Sequence, residues 1–369
     1  MMKSYLLGID IGTSACKVAV FDRNGKVLAA ASGDYPVYYP HEGWAEQNPE
    51  EWWDAVCRAT KETIQKADIT ADEIAGIGID GQSWSAIPID REGNVLANTP
   101  IWMDTRAQSI CDRLNQEIGQ EEIFEVAGNS LQPSYSTAKI LWYKENLPEV
   151  YAKIYKILQS NSYIAFKLTG AVTQDVSQGY GLHCFNMKKG CWDEKMCKRL
   201  GIPMEFLPEI CDCDHVVGTV TGKAAAECGL VEGTPVVAGG LDAACGTLGA
   251  GVIHSGETQE QGGQAGGMSI CTEEYKADPR LILSYHVVPG KWLLQGGTTG
   301  GGGVMRWFER EFADYERMMK EQTGASSLDQ LNKIAEKVAP GCEGMVFLPY
   351  MSGERSPIWN PYAKGVFYG

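Results

Sequence analysis

Apolar and polar positions in the first third of the chain fall into short blocks broken by turn residues. Residues 5–9 and 15–22 read as buried strands, and Asn24-Gly25 as a tight hairpin turn into a third strand over 26–32. The period then lengthens. Asn48 can cap a helix, Pro49 suits its first position, Glu51 completes a capping box, and the helix runs to about Ala67. Trp52, Trp53, Val56 and Ile64 fall mostly on one face of it, which makes the paired tryptophans core rather than a ligand platform. A strand over 74–80 carries Asp80 out to the loop Gly81-Gln82-Ser83-Trp84-Ser85, and 86–90 with Gly93-Asn94 predicts another hairpin. Helices follow over 105–118 and 136–146, then a less regular stretch to about Pro208. This alternation of strand and helix predicts an α/β fold.

Four glycine-rich segments interrupt the pattern. The first, Gly8-Ile9-Asp10-Ile11-Gly12-Thr13-Ser14, sets a carboxylate between glycines and adds two hydroxyls, the chemistry of a Mg-phosphate cradle. No helix follows it, so phosphate would be held by backbone N–H groups of a strand-to-strand turn with Asp10 facing the metal. The alternative is an ordinary turn with an exposed aspartate. The segment 233–242 repeats the logic, an apolar strand ending on Asp242 beside small residues. A glycine cluster at 262–267 is followed by a strand over 292–295, the run Gly296-Gly297-Thr298-Thr299-Gly300-Gly301-Gly302-Gly303 and a helix from Val304. Four successive glycines weaken a helix start, so either a phosphate or ring approaches the backbone there or the run is a hinge.

Composition narrows the function. A chain of 369 residues has room for two domains, and 44% hydrophobic with 21% charged residues is a globular balance. A net charge of −15 excludes nucleic acid and anionic membrane as partners and leaves a small, metal-screened anion. No apolar run approaches the roughly 18 residues of a membrane span, and the amino terminus leads into a strand rather than a cleavable signal, which places the protein in the cytoplasm. The 12 cysteines lack paired zinc spacing and are expected reduced; Cys211-Asp212-Cys213 is the one close pair and does not suffice for a metal site. The five histidines are scattered singly and none is assigned to catalysis.

Six segments in order then carry a resemblance: Gly8 to Ser14, Gly43-Trp44-Ala45-Glu46-Gln47, Ile101-Trp102-Met103-Asp104-Thr105-Arg106, Lys139-Ile140-Leu141-Trp142, Gly239-Gly240-Leu241-Asp242 and Gly353-Glu354-Arg355-Ser356-Pro357-Ile358-Trp359. Across the whole chain the sequence resembles the FGGY family of carbohydrate kinases, within the actin-like ATPase superfamily, and most of all its xylulokinase-like members. The resemblance implies two ribonuclease-H-like domains around a cleft, sugar on residues 1–253 and nucleotide on residues 254–369. It implies ATP and Mg²⁺ as cofactors, a small sugar as substrate, a ketopentose such as D-xylulose first, and allows a homodimer. Asp242 matches the general base, Asp10 the carboxylate near Mg²⁺, and Gly12, Thr13 and Ser14 the phosphate loop. Gly302 matches a glycine near the nucleotide. On the sugar side the matching positions are Gln82, Ser83, Trp84, Asp104 and Arg106, together with Asp242.

Departures from the family pattern concern both ligands. Gln82-Ser83-Trp84 stands where a Met-His pair is usual, Ala243 where an asparagine usually follows the base, and Gly263-Gln264-Ala265-Gly266 where Gly-Thr-Ser-Gly is usual. Trp84 offers a stacking face in place of an imidazole hydrogen bond. Asp104 and Arg106 either touch sugar or form a salt bridge that fixes their loop. Val366-Phe367-Tyr368-Gly369 reads as a strand cut mid-sheet, so a truncated second domain is expected. Kinases for gluconate, glycerol, erythritol or ribulose, and a non-catalytic sugar-binding protein, are the competing readings. An actin-like or chaperone-like ATPase would leave the sugar-kinase segments unexplained.

Overall fold

The computed structural model describes residues 4–262, 265–351, 353–360 and 362–369. It divides into two compact units. The first runs through Ser255 and adds Cys271–Pro279 and Leu283–Leu293; the second comprises Gly256–Ile270, Arg280–Ile282 and Leu294–Gly369.

The first unit is organised by a seven-stranded sheet. Strands β1 (Tyr5–Ile11), β2 (Ala15–Phe21) and β3 (Val27–Asp34) form an antiparallel meander, and Ile74–Gly81 joins β1 in parallel on its other side. Pro235–Val237, Val216–Thr219 and the short Gly240–Leu241 complete it beyond Ile74–Gly81. The central strands alternate a buried residue with a partly exposed one, so Leu7, Ile9, Ile11, Val18 and Val20 point into one core.

Helix α1 (Pro49–Ala67) covers that face. Trp52 and Trp53 lie in the core, as their spacing predicts, and full burial of each aliphatic side chain beside them stabilises by about 1.5–3 kcal/mol. Asn48 caps the helix by accepting from the Glu50 amide, but the capping box does not form, because Glu51 instead accepts from the Tyr38 hydroxyl at 2.7 Å. The hairpin expected after Ile87–Ile89 forms, with the turn at Asp90 to Asn94 closed, Ile89 bridging Val95 and the Leu96 amide donating to the Pro88 carbonyl at 2.9 Å; the strand also pairs antiparallel with Lys156–Leu158. The helix expected over 105–118 is Gln108–Leu114, followed by a wider turn at Asn115–Gly119 and a second helix Gln120–Ala127; Ser136–Asn146 forms as expected.

The second unit contains antiparallel pairing of Thr258–Gly262 with Gly266 to Ile270, and helices Gly302–Phe312, Asp314–Thr323 and Ser327–Ala335. Val366–Tyr368 pairs antiparallel with Val346–Leu348, with the Phe347 and Phe367 rings stacked at 4.3 Å. Among the described residues no helix is long and apolar enough to cross a membrane, all twelve cysteines are free, and no cluster of three or more His, Cys, Asp or Glu could by itself hold a metal ion.

Candidate active site

Asp10 sits on β1 opposite Lys17 of β2 in one direction and Asp80 in the other. Its carboxylate, about one-third exposed, pairs with the Lys17 ammonium at 3.1 Å. The turn that follows is pinned by its carbonyls. The Tyr35 hydroxyl donates to the Gly12 carbonyl at 2.7 Å, the Gln47 amide to the Thr13 carbonyl at 2.8 Å, and the Tyr35 amide to the Ser14 carbonyl at 3.3 Å. In a trans peptide the N–H points opposite the preceding C=O, so fixing the Gly12 and Thr13 carbonyls aims the Thr13 and Ser14 amides the other way. The Thr13 hydroxyl accepts from the Trp102 indole N–H at 3.0 Å and keeps its own proton to donate.

Asp242 arrives from the other edge of Ile74–Gly81. Gly240 pairs with Asp80 and Leu241 with Gly81, and Asp242 opens the helix Asp242–Gly249 rather than ending a strand. Two glycines make this possible. A Cβ on Gly239, whose φ is +71°, would lie 1.7 Å from the Ile79 carbonyl oxygen, and one on Gly81 would lie 2.3 Å from the Ser160 hydroxyl.

Three carboxyls therefore share one region, with Lys17 as their cation. Burial, then the charge of Asp10, pushes Asp242 up to about 7, although its own neighbour Ala243 donates a backbone N–H at 2.6 Å that pulls the other way. Asp80 is raised further, first by burial, then by the charges of Asp10 and Asp242 and a hydrogen bond with Asp10, so it retains its proton at neutral pH. Asp80 was absent from the expected site. The signal was present, because Gly8-Ile9-Asp10, Gly78-Ile79-Asp80 and Gly240-Leu241-Asp242 are the same tripeptide pattern.

The expected sugar contacts are placed differently. Asp104 has no exposed surface, and it accepts from the Ala45 amide at 2.7 Å and from the Arg106 guanidinium at 2.8 Å. Arg106 also pairs with Glu46 at 2.7 Å and lies over the Trp44 ring at 3.8 Å. Both residues therefore help to fix their loop, the salt-bridge alternative. Gln82 is likewise buried, donating to Gln47 at 2.8 Å and supporting the phosphate loop from beneath. Trp84 has φ +63° and its face is taken by Tyr135, ring centres 4.2 Å apart. The buried Lys139 ammonium, donating to the Trp84 and Ile101 carbonyls at 2.8 Å each, holds this backbone. Ser83 remains partly exposed and accepts from the Tyr180 hydroxyl at 3.0 Å; the Asp242 charge is felt at Tyr180.

In the second unit Gly302 is the exposed first residue of its helix. The preceding glycines are required by the chain itself, since a Cβ on Gly300 would lie 2.3 Å from the Pro349 carbonyl and one on Gly301 2.5 Å from Ala265. Glu354 of the late signature clamps the run, accepting from the Thr298 hydroxyl at 2.5 Å and the Thr299 amide at 3.0 Å. A pocket lies beside it, lined by Thr299, Gly303, Trp307 and Arg310. Gly263 and Gln264 lie outside the described residues.

Known proteins are similar to this chain. The chain is 31% identical over 367 residues to the xylulose kinase of Bacillus subtilis (strain 168), covering 99% of this chain and 71% of that protein. It is also 31% identical over 373 residues to the gluconokinase of the same organism, covering 100% of this chain and 72% of the relative. The fold superposes on the crystal structure of xylulose kinase from Rhodospirillum rubrum with a TM-score of 0.88 at 29% identity, over 99% of this chain and 72% of that one. Residues 5–249 match the N-terminal domain of the FGGY family of carbohydrate kinases and residues 266–369 match its C-terminal domain. With both domains matched in order, the chain belongs to the FGGY family of carbohydrate kinases.

Proposed function

We propose that this kinase transfers the γ-phosphate of ATP to a hydroxyl of a ketopentose such as D-xylulose, with Asp242 as general base and Asp10 on the metal side. The observation that carries this reading is the convergence of Asp10 and Asp242 across Ile74–Gly81, close enough for each carboxylate to act electrostatically on the other's surroundings. A base whose pKa lies about 7 is ionised in a substantial fraction at neutral pH yet still takes up a proton as the sugar oxygen attacks. Phosphoryl transfer asks little more of a protein than such a base, alignment and charge neutralisation.

The donor set fits Mg²⁺. One partly exposed carboxylate with no surrounding cage suits an ion that binds through one or two carboxylates, waters and substrate phosphates. Asp10 would hold it, and the ion would neutralise charge on the transferring phosphoryl group. Lys17, now paired to Asp10, and the aimed amides of Thr13 and Ser14 would orient the phosphate chain. Ser83, Tyr180 and Asp242 form the sugar side, with Trp84 as a wall. Residues 1–253 are assigned to the sugar and residues 254–369, with Gly302, to the nucleotide.

A second substrate reading, gluconate, is favoured by the gluconokinase relative at equal identity and by Ser83-Trp84 in place of the usual Met-His. A screen of pentuloses, hexuloses, polyols and aldonates by coupled ADP release separates the two. The preferred reading predicts D-xylulose as the substrate of highest kcat/KM; gluconate in first place would replace it.

A further inference from the structure

Asp175 is a buried carboxyl for which the reaction outlined above has no use. It lies at the end of Thr173–Asp175, 1% exposed, with no cation among its hydrogen-bond partners. Capping the four-residue helix Val176–Gly179 explains only one of its bonds, from the Gln178 amide at 2.9 Å. Four other donors converge on the same group: the Ser177 hydroxyl at 2.5 Å, the Asn161 amide at 2.9 Å, the Gln174 amide at 3.2 Å and the Cys213 thiol at 3.9 Å.

Two of these partners lead to the same place. A serine hydroxyl has one proton, and Ser177 gives it to Asp175, so its lone pair accepts the Leu241 N–H at 2.9 Å. The Asn161 amide has two protons; one goes to Asp175 and the other to the Ala238 carbonyl at 3.1 Å. Both ends of the turn 238–241 are thereby tied to one carboxylate, immediately before Asp242. Gly240 allows the approach, since a Cβ there would lie 2.8 Å from the Ser177 oxygen.

We infer that Asp175 is a positioning residue: through Ser177 and Asn161 it fixes the turn that presents Asp242 to the reacting hydroxyl. The inference rests on reading Asp242 as the base. Charge-assisted bonds to a buried carboxylate hold geometry more tightly than neutral ones, and a displacement of about 1 Å in a catalytic group can lower rate on the order of 100-fold. Asp175→Asn keeps the shape but turns a donor toward the Asn161 donor, so it releases that end of the turn.

The test is a double-mutant cycle with Asp242→Asn, read as kcat at saturating ATP and sugar, with single-turnover rates where activity is low. Asp175→Asn and Ser177→Ala should each lower kcat roughly tenfold to 100-fold with both KM values nearly unchanged. Neither should lower the residual rate of Asp242→Asn further, because the group they position is already gone. Wild-type kcat in both variants, losses confined to KM, or losses that multiply in the Asp242→Asn background would overturn the inference. If Asp175→Asn does not fold, Ser177→Ala alone decides, since it leaves the Gln178 cap intact. Full activity of the single variant Asp242→Asn would defeat the base assignment itself, and with it this role for Asp175.

Discussion

Asp10 and Asp242 close the same sequence device, an apolar run, a carboxylate and a small-residue turn, yet they end in unlike surroundings. Asp10 stays on its strand, partly exposed and held by the Lys17 ammonium at 3.1 Å. Asp242 is carried past a positive-φ glycine onto the first turn of a helix, where burial raises it to about 7. A partly exposed carboxylate beside a cation suits a metal; a buried one poised near neutrality suits proton transfer. The difference comes from position in the sheet, not from the local residues.

The largest effect expected is on chemistry at the Asp242 turn. Asp242→Asn should lower kcat by about 10²–10⁴-fold, measured as ADP release in the presence of the best sugar. Asp10→Asn should lower it by about 10²-fold and raise the Mg²⁺ concentration needed for half-maximal rate, as read from a metal titration. Equal losses without a changed metal requirement would erase the distinction between the two carboxylates.

Stability separates the turns next. Gly239→Ala places a Cβ 1.7 Å from the Ile79 carbonyl and should destabilise by about 3 kcal/mol or more, whereas Gly12→Ala meets the Ala15 carbonyl at 3.0 Å and should lose about 1 kcal/mol. Urea midpoints of the two variants give the comparison.

The smallest effects are shifts in pH. Activity should rise as pH passes about 7, because Asp242 must lose its proton to act as a base. The Asp10 charge raises the Asp242 pKa and Lys17 lowers it. In log kcat against pH, Lys17→Met should therefore move the acid limb to higher pH, and Asp10→Asn should move it to lower pH. Shifts in the same direction would mean that the limb belongs to another group.

Much of the first unit was legible in the chain. The Asn24-Gly25 hairpin, the Asn48 cap and the tryptophan face of α1 are local matters, settled by turn chemistry and period, and the structure repeats them. The failures are non-local. Glu51 is drawn from its capping box by Tyr38, and Ile87–Ile89, besides its own hairpin mate, takes a second partner strand nearly seventy residues on. Gln82, Asp104 and Arg106 read as sugar contacts because their residue types suit a sugar. Their partners Gln47, Glu46, Ala45 and Trp44 come from a distant segment and enclose them.

By itself the sequence determined the α/β pattern, the four glycine-rich segments, and which aspartates close a glycine-led strand. Period and turn chemistry are written in neighbouring residues, so they need no fold to be read. Only the tertiary structure decided that Asp80 joins Asp10 and Asp242 and that Asp175 supports the turn between Ala238 and Leu241. It also decided that Asp80 and Asp242 are buried enough to be pushed up. Those outcomes depend on sheet register and on burial, which are set by strands far apart in the chain, and a carboxyl's pKa follows the charges and water around it rather than the residues beside it.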